Sequence, residues 1–214
     1  MIAKDATEII AIRHGETEWN AQQRWQGHHD THLGPTGRAQ AEALGRRLAG
    51  WSFDVLYSSD LTRAVQTADA IARRSGHQLV TEPRLRERKL GIFEGHTTTE
   101  VQLKYPEEFK RLRSGDVDFP IPEGESVRQK HERTIDVFED LAKRHVGQSI
   151  VVVTHGGILD SLFRHALQLP LTAPRHFMLH NASINTFVVT SGAWMLGQWG
   201  DISHLTDAKA LDEL

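Results

Sequence analysis

No cysteine occurs among the 214 residues, which excludes disulfides, a thiolate nucleophile and cysteine-based zinc sites and suits a reducing cytoplasm. No apolar run approaches the roughly 18 residues of a membrane span. The opening Met1-Ile2-Ala3-Lys4-Asp5 has no long apolar core of the kind a secretory signal needs. The closing Leu211-Asp212-Glu213-Leu214 is similar to an endoplasmic-reticulum retrieval signal; without a leader to bring the chain there, it reads as coincidence. Strong charge of one sign is missing as well. At a net −3 no overall field draws the molecule to nucleic acid or to an anionic membrane. An anionic ligand would have to be attracted by a local cluster of cations. There is no internal repeat, low-complexity run or linker.

What remains is an ordinary globular composition, 39% hydrophobic and 25% charged, in one domain spanning 1–214 and long enough for a single substantial core. Ile9-Ile10-Ala11-Ile12 reads as a short strand buried on both faces, as in a parallel sheet. Glu16 to Arg24 reads as a short helix or turn, followed by a polar loop over Gln26-Gly27-His28-His29-Asp30-Thr31-His32. Ala41, Leu44 and Leu48 mark a helix over Thr36–Leu48. Phe53–Tyr57 forms a second strand and Leu61–Ser75 a second long helix, with Ala64, Ala68, Ile71 and Ala72 inward. Gln78–Thr81 is a third strand. Strand–helix–strand units of this kind signal a parallel sheet with right-handed crossovers. Residues 83–126 are irregular and read as an excursion over the mouth of the sheet. A long amphipathic helix follows over Glu125–His145, with Val127, Ile135, Phe138 and Leu141 or Ala142 inward. Ser149–Thr154 is the clearest strand; Ile158–Leu169 is a helix. Strands over Ser183–Val189 and Trp194–Trp199, around a turn at Ser191-Gly192, complete the sheet.

Two segments share one grammar. Ile10-Ala11-Ile12-Arg13-His14-Gly15 and Val151-Val152-Val153-Thr154-His155-Gly156 are each a buried strand, a histidine at its carboxyl end, then glycine and helix. Open α/β sheets keep their ligand crevices at that end. If the two strands are neighbours, the imidazoles lie side by side, an arrangement that a core role for both histidines explains poorly.

Arg13-His14-Gly15-Glu16-Thr17, with Asn20 and Gln26-Gly27, resembles the signature of the histidine phosphatase (phosphoglycerate mutase-like) superfamily. Further matches follow in order: Ser58-Ser59-Asp60-Leu61 with Arg63, Thr67 and Ala68; Leu85-Arg86-Glu87 with Gly91, Glu94 and Gly95; Pro122-Glu123-Gly124-Glu125-Ser126; Thr154-His155-Gly156-Gly157; and Asn181 with Ser183. Gly200-Asp201-Ile202-Ser203-His204-Leu205 looks like the ending of the short branch often labelled phosphoglycerate mutase 2. The resemblance implies an α/β three-layer sandwich, a mostly parallel sheet flanked by helices on both faces.

It also implies a mechanism. His14 would attack phosphorus and carry it as phosphohistidine, dividing one difficult hydrolysis into two easier steps. Arg13, Arg63 and a protonated His155 would supply positive charge around the phosphoryl oxygens without a metal. Gly15, Gly156 and Gly157 would let backbone N–H groups approach the anion, with Thr17, Asn20, Gln26 and Gly27 as further phosphate contacts. Glu87 matches the general acid and base, with Glu16 and Glu94 as weaker candidates. Arg86, Arg88 and Lys89 crowd Glu87, but alternation along an extended segment would turn Arg86 and Arg88 away from it. Lys110 and Arg111 could select an acidic substrate tail. The His28–His32 loop has metal-ligand residue types without a fixed scaffold, and solvation suffices to explain it.

The expected function is therefore phosphomonoester hydrolysis on a small phosphorylated metabolite, with no cofactor, nucleic acid or membrane and an oligomeric state left open. The alternative is a phosphoglycerate mutase primed by 2,3-bisphosphoglycerate; a binding module without catalysis is a third reading. The mutases carry a longer middle region and a tyrosine soon after the acid, where this chain has Leu90-Gly91-Ile92-Phe93. A mutase must also keep water from its phosphoenzyme.

Overall fold

The computed structural model describes residues 4–191 and 193–205. The first three residues, Gly192 of the expected Ser191-Gly192 turn, and residues 206–214 with the closing Leu211–Leu214 lie outside the described residues.

Two strands far apart in sequence form the centre. β1 (Thr7–Arg13) and β4 (Ser149–Thr154) pair in parallel, with Ile9 opposite Ile150 and Arg13 opposite Thr154. Successive side chains point to opposite faces, so unbroken apolar runs serve two cores at once. Ile9, Ala11, Ile150 and Val152 pack with Phe138 and Leu141 of α6 (Val127–Arg144) and Ile158 and Leu162 of α7 (Gly156–Ala166). Ile10, Ile12, Val151 and Val153 pack with Leu44 and Leu48 of α2 (Pro35–Leu48) and with Ala64, Ala68 and Ile71 of α3 (Thr62–Ser75). β2 (Val55–Ser58) lies parallel to β4, and β3 (Leu79–Thr81) lies parallel to β2. β5 (Ile184–Thr190) and β6 (Ala193–Asp201) run antiparallel on the other side, giving the order β3-β2-β4-β1-β5-β6. The sheet is thus mostly parallel and covered on both faces.

Several boundaries differ from expectation for local reasons. α1 keeps only Glu18–Ala21, after a capping box between Thr17 and Asn20. α6 starts at Val127 because Ser126 Oγ accepts the Gln129 N–H while the Gln129 side chain accepts the Ser126 N–H. α7 starts at Gly156, taking both glycines into its first turn. It stops at Ala166, before Gln168 takes a positive φ of 54°.

Residues 83–126 hold two 3₁₀ turns (Pro83–Leu85 and Gly91–Phe93), α4 (Thr98–Lys104) and α5 (Pro106–Arg113). Phe93, Val101 and Ile121 form a small buried cluster of their own. Thr154 Oγ1 donates to the Leu85 carbonyl at 2.9 Å, tying this segment to the rim of the sheet. Among the described residues no helix is long and apolar enough to cross a membrane.

Candidate active site

Because Arg13 faces Thr154 in parallel register, the next residue of each strand, His14 and His155, leaves the sheet at the same rim. Their ring centroids are 5.1 Å apart. His14 is buried, and its Nδ1 lies 2.7 Å from the Gly15 carbonyl. A carbonyl can only accept, so Nδ1 carries the proton and Nε2 keeps its lone pair. Burial, followed by the positive charges of Arg63 and Arg13, holds this imidazole well below the usual histidine range. His14 is therefore neutral at pH 7, as a nucleophile must be. His155 is depressed in the same way, by burial and then by Arg63, His14, Arg13 and His28. The expected protonated His155 is thus not the state of the ligand-free site: the neighbouring cations that would help hold an anion also disfavour a third positive charge.

The positive charge comes from arginine. Arg63, in the first turn of α3, is 1% exposed and donates to the carbonyls of His29 at 3.0 Å and Gly27 at 2.8 Å. The loop that supplies these carbonyls is more than a solvated connection. Asp30 accepts from the N–H and the hydroxyl of Thr62, both at 2.7 Å, and so caps α3. His29 stacks on Trp19 with centroids 4.4 Å apart, and His28 Nε2 donates to the Glu87 carbonyl at 2.8 Å. Among the described residues no three histidine or acidic side chains gather as a metal site. Arg13 is fully buried, donates to the Leu179 carbonyl, and acts on His14 through charge.

Glu87 reaches the histidine rim from residues 83–126. Its Oε2 accepts the Gly157 N–H at 2.8 Å and its Oε1 the Arg88 N–H at 2.7 Å. Glycine at 157 leaves room for this placement, since a Cβ there would stand 2.2 Å from Glu87 Oε1 and push the carboxylate aside. Arg86 is turned away onto Asp60, at 2.7 and 2.6 Å. Arg88 borders the same cavity as Glu87, and its Nε donates to the Glu125 carbonyl at 2.9 Å. Arg133 of α6 fixes the whole segment. Its guanidinium donates to the carbonyls of Arg84 at 2.7 Å, Arg86 at 2.9 Å and Glu87 at 3.2 Å. It also grips Glu125 at 3.0 and 2.9 Å, and Glu125 in turn accepts the Lys89 N–H.

These groups border an open cavity of about 510 Å³ that includes His14, Arg63, Glu87, Asn20, Gln26, Gly27, Gly156 and Gly157. Other expected contacts lie elsewhere. Gly15 gives its N–H to Thr67 Oγ1, and its lack of a side chain allows a close crossing with Gly37 of α2. Thr17 holds Asn20 and Gln26 from behind. Gly157, though at the cavity, gives its N–H to Glu87. Lys110 and Arg111 sit on α5 away from the cavity, with Arg111 over the Phe119 ring at 4.2 Å. Glu94 braces the loop by accepting from His28 N and Leu90 N, and Glu16 lies outside the cavity against α2.

In their place the wall carries Arg24, Arg88, Lys130 and Arg175, opposed by Glu87 and Asp160. Burial lowers the Arg88 guanidinium to about 10. Lys130 is buried and lowered by desolvation; it donates to the Gly157 carbonyl at 2.7 Å and to Ser161 Oγ at 2.8 Å. A chain of net charge −3 therefore concentrates cations at one cavity.

Known proteins share both the sequence pattern and the fold. The family described as histidine phosphatase superfamily (branch 1) matches residues 9–202. Phosphoglycerate mutase-like protein 4 of Arabidopsis thaliana is 39% identical over 211 residues, 97% of this chain and 90% of that protein. A metal-independent phosphoserine phosphatase of the same plant is 38% identical, covering 98% of this chain and 88% of its own. The solved phosphoserine phosphatase of Entamoeba histolytica in complex with 3-phosphoglyceric acid superposes with a TM-score of 0.83. It is 32% identical and covers 93% of this chain and 99% of that one.

Proposed function

The chain belongs to branch 1 of the histidine phosphatase superfamily, and we propose that it hydrolyses phosphomonoesters without a metal, through a phosphohistidine on His14. His14 Nε2 forms a bond to phosphorus as the P–O bond to the leaving alcohol breaks, and the Glu87 carboxyl gives that oxygen its proton. Glu87, now a carboxylate, takes a proton from water; the water oxygen bonds to phosphorus and the P–N bond breaks. Arg63 and Arg13 favour the charge on the phosphoryl oxygens, and the neutral His155 donates a hydrogen bond to it.

One observation carries this reading. His14 is buried beside Arg63, with Nδ1 bonded to its own chain and Nε2 left with its lone pair, and it borders the same cavity as Glu87. The cationic wall and the phosphoserine phosphatase relatives support a small phosphorylated metabolite carrying a further acidic group. The mutase-like relative supports a second reading on the same residues, with 2,3-bisphosphoglycerate as the primer.

A phosphate-release screen over phosphoserine, phosphoglycerates and sugar phosphates, run in EDTA beside a 3-phosphoglycerate mutase assay, separates the two. We expect phosphate release that needs neither metal nor bisphosphoglycerate. Isomerisation that appears only with bisphosphoglycerate, and without phosphate release, would establish the mutase instead.

A further inference from the structure

The second histidine has a neighbour that no step above uses. His155 Nε2 lies 2.8 Å from Ser59 Oγ, and both residues are completely buried. Ser59 stands one residue past the end of β2, its backbone N–H bonded to the Val153 carbonyl of β4 at 2.9 Å. It therefore sits beside His155 because β2 and β4 are neighbours in the sheet. The Leu61 N–H donates to Ser59 Oγ at 3.3 Å. That contact occupies an acceptor position of the hydroxyl and leaves the hydroxyl hydrogen to be placed. His155 Nε2 is the acceptor within reach, because the neighbouring Ser58 hydroxyl is itself a donor, to the Ser59 carbonyl. A hydroxyl that donates to Nε2 requires a lone pair there, so the proton of the neutral ring must be on Nδ1.

Nδ1 is the atom that matters for the reaction. It is buried and has no hydrogen-bond partner among the described residues, and its ring lies edge-on to His14. A buried N–H without an acceptor is costly unless something supplies one. Beside a nucleophile that takes up a phosphoryl group, the acceptor on offer is a phosphoryl oxygen.

We propose that Ser59 is a positioning residue that fixes His155 as the Nδ1–H tautomer, so that a neutral imidazole presents a donor to the phosphoryl oxygens. This rests on the phosphoryl-transfer reading for its purpose, but the tautomer itself is a property of the free protein. The same hydroxyl also serves after protonation, when it accepts from Nε2–H instead of donating to it. Ser59 thus leaves Nδ1–H available as a donor in either charge state. With alanine at 59, nothing prevents the proton from moving to Nε2, and a lone pair would then face the anionic oxygens.

The test is the ring-nitrogen spectrum of ¹⁵N-histidine-labelled protein at neutral pH, assigned with a His155→Asn sample. The expected result is a neutral His155 with Nδ1 protonated and Nε2 bare. In S59A the signal should move toward the Nε2–H form, and kcat on an alkyl phosphate should fall roughly tenfold to a hundredfold, the range for removing a group that orients a histidine, with a smaller change in KM. S58A, which removes a hydroxyl that does not touch His155, should leave the tautomer unchanged. A proton on Nε2, or a cationic ring, in the wild-type protein would overturn the proposal, and that spectrum decides even if S59A fails to fold. An S59A protein with unaltered tautomer and kcat would overturn it too. Failure to find any phosphatase substrate would count against the proposed function and leave the spectrum standing as evidence on the tautomer.

Discussion

The clamp formed by Arg133 offers the sharpest perturbation of the acid segment, because Arg133 does not border the cavity itself and holds Glu87, which does, by its backbone carbonyl. Replacing Arg133 by alanine removes three hydrogen bonds to carbonyls of residues 84, 86 and 87 and both contacts to Glu125. The pair is half-buried, at 21% and 22% side-chain exposure, so solvent screens part of the loss. A destabilisation of about 1–3 kcal/mol follows, less than for a fully buried charge. The catalytic cost should be larger in kind than in stability, since a displacement on the order of 1 Å can cost about a hundredfold. It should also be selective. An acid is needed in proportion to the basicity of the leaving oxygen, so first-turnover release of an alkyl alcohol should slow about a hundredfold. First-turnover release of p-nitrophenol should slow only a few-fold. Reading a single turnover isolates phosphorylation of His14 from the later hydrolysis. Arg133→Lys should fall between, because an ammonium cannot span the same carbonyls as the guanidinium fork. Equal slowing of both substrates would show that Arg133 supports the site only as a whole and would refute the clamp.

The remaining predictions concern the acid itself, the protonation of the core and one tight crossing. Glu87→Gln should show the same leaving-group split more strongly, and phosphohistidine should accumulate from an aryl phosphate because water lacks its base; a split absent from steady-state and single-turnover data would remove Glu87 from the mechanism. His14 and His155 titrate in the native state well below 6.5, so their contribution to stability is complete above pH 6.5. As pH falls below 6.5 the unfolded chain binds protons that the native state refuses, at a cost of up to about 1.4 kcal/mol per pH unit for each. His131, lowered to about 4 by burial, acts in the same direction down to that pH. Urea midpoints should therefore drop between pH 7 and pH 5, and a flat profile would contradict the buried neutral pair. Gly37→Ala would place a Cβ 1.9 Å from the Glu16 carbonyl oxygen, so it should cost at least about 1–3 kcal/mol; an unchanged urea midpoint would mean that the crossing of α2 over the chain after β1 is looser than described.

How much of this was legible in sequence depends on how local each cause is. The strands at 9–12 and 149–154 were readable because burial on both faces leaves an unbroken apolar run, and their pairing in register puts His14 beside His155. The cavity wall was less legible. Lys110 and Arg111 look available on a polar helix, yet α5 carries them away from the cavity. Alternation would turn Arg88 away from Glu87 only if the segment were extended, but residues 86–90 are not a strand, and period two does not apply there. Lys130 did leave a trace: three residues after Val127 and four before Thr134, it falls on the inner stripe of α6. A lysine at such a position signals a buried, partnered charge. Arg175 left none, because its place is set by the irregular chain after α7. The loop at 28–32 shows the opposite error: its residue types suggested a ligand or bare solvation, whereas they brace Arg63, α3 and Glu87. Protonation was the least legible property, since it depends on which cations fold against a ring.

In this mechanism His14 itself carries the phosphoryl group. Enzyme mixed with a ³²P-labelled phosphomonoester and stopped with alkali within one turnover should yield one labelled peptide, containing His14. The label should survive alkali, be lost in mild acid, and be missing from His14→Ala, which should also lose turnover. Label on any other residue, or continued turnover by His14→Ala, would contradict the account.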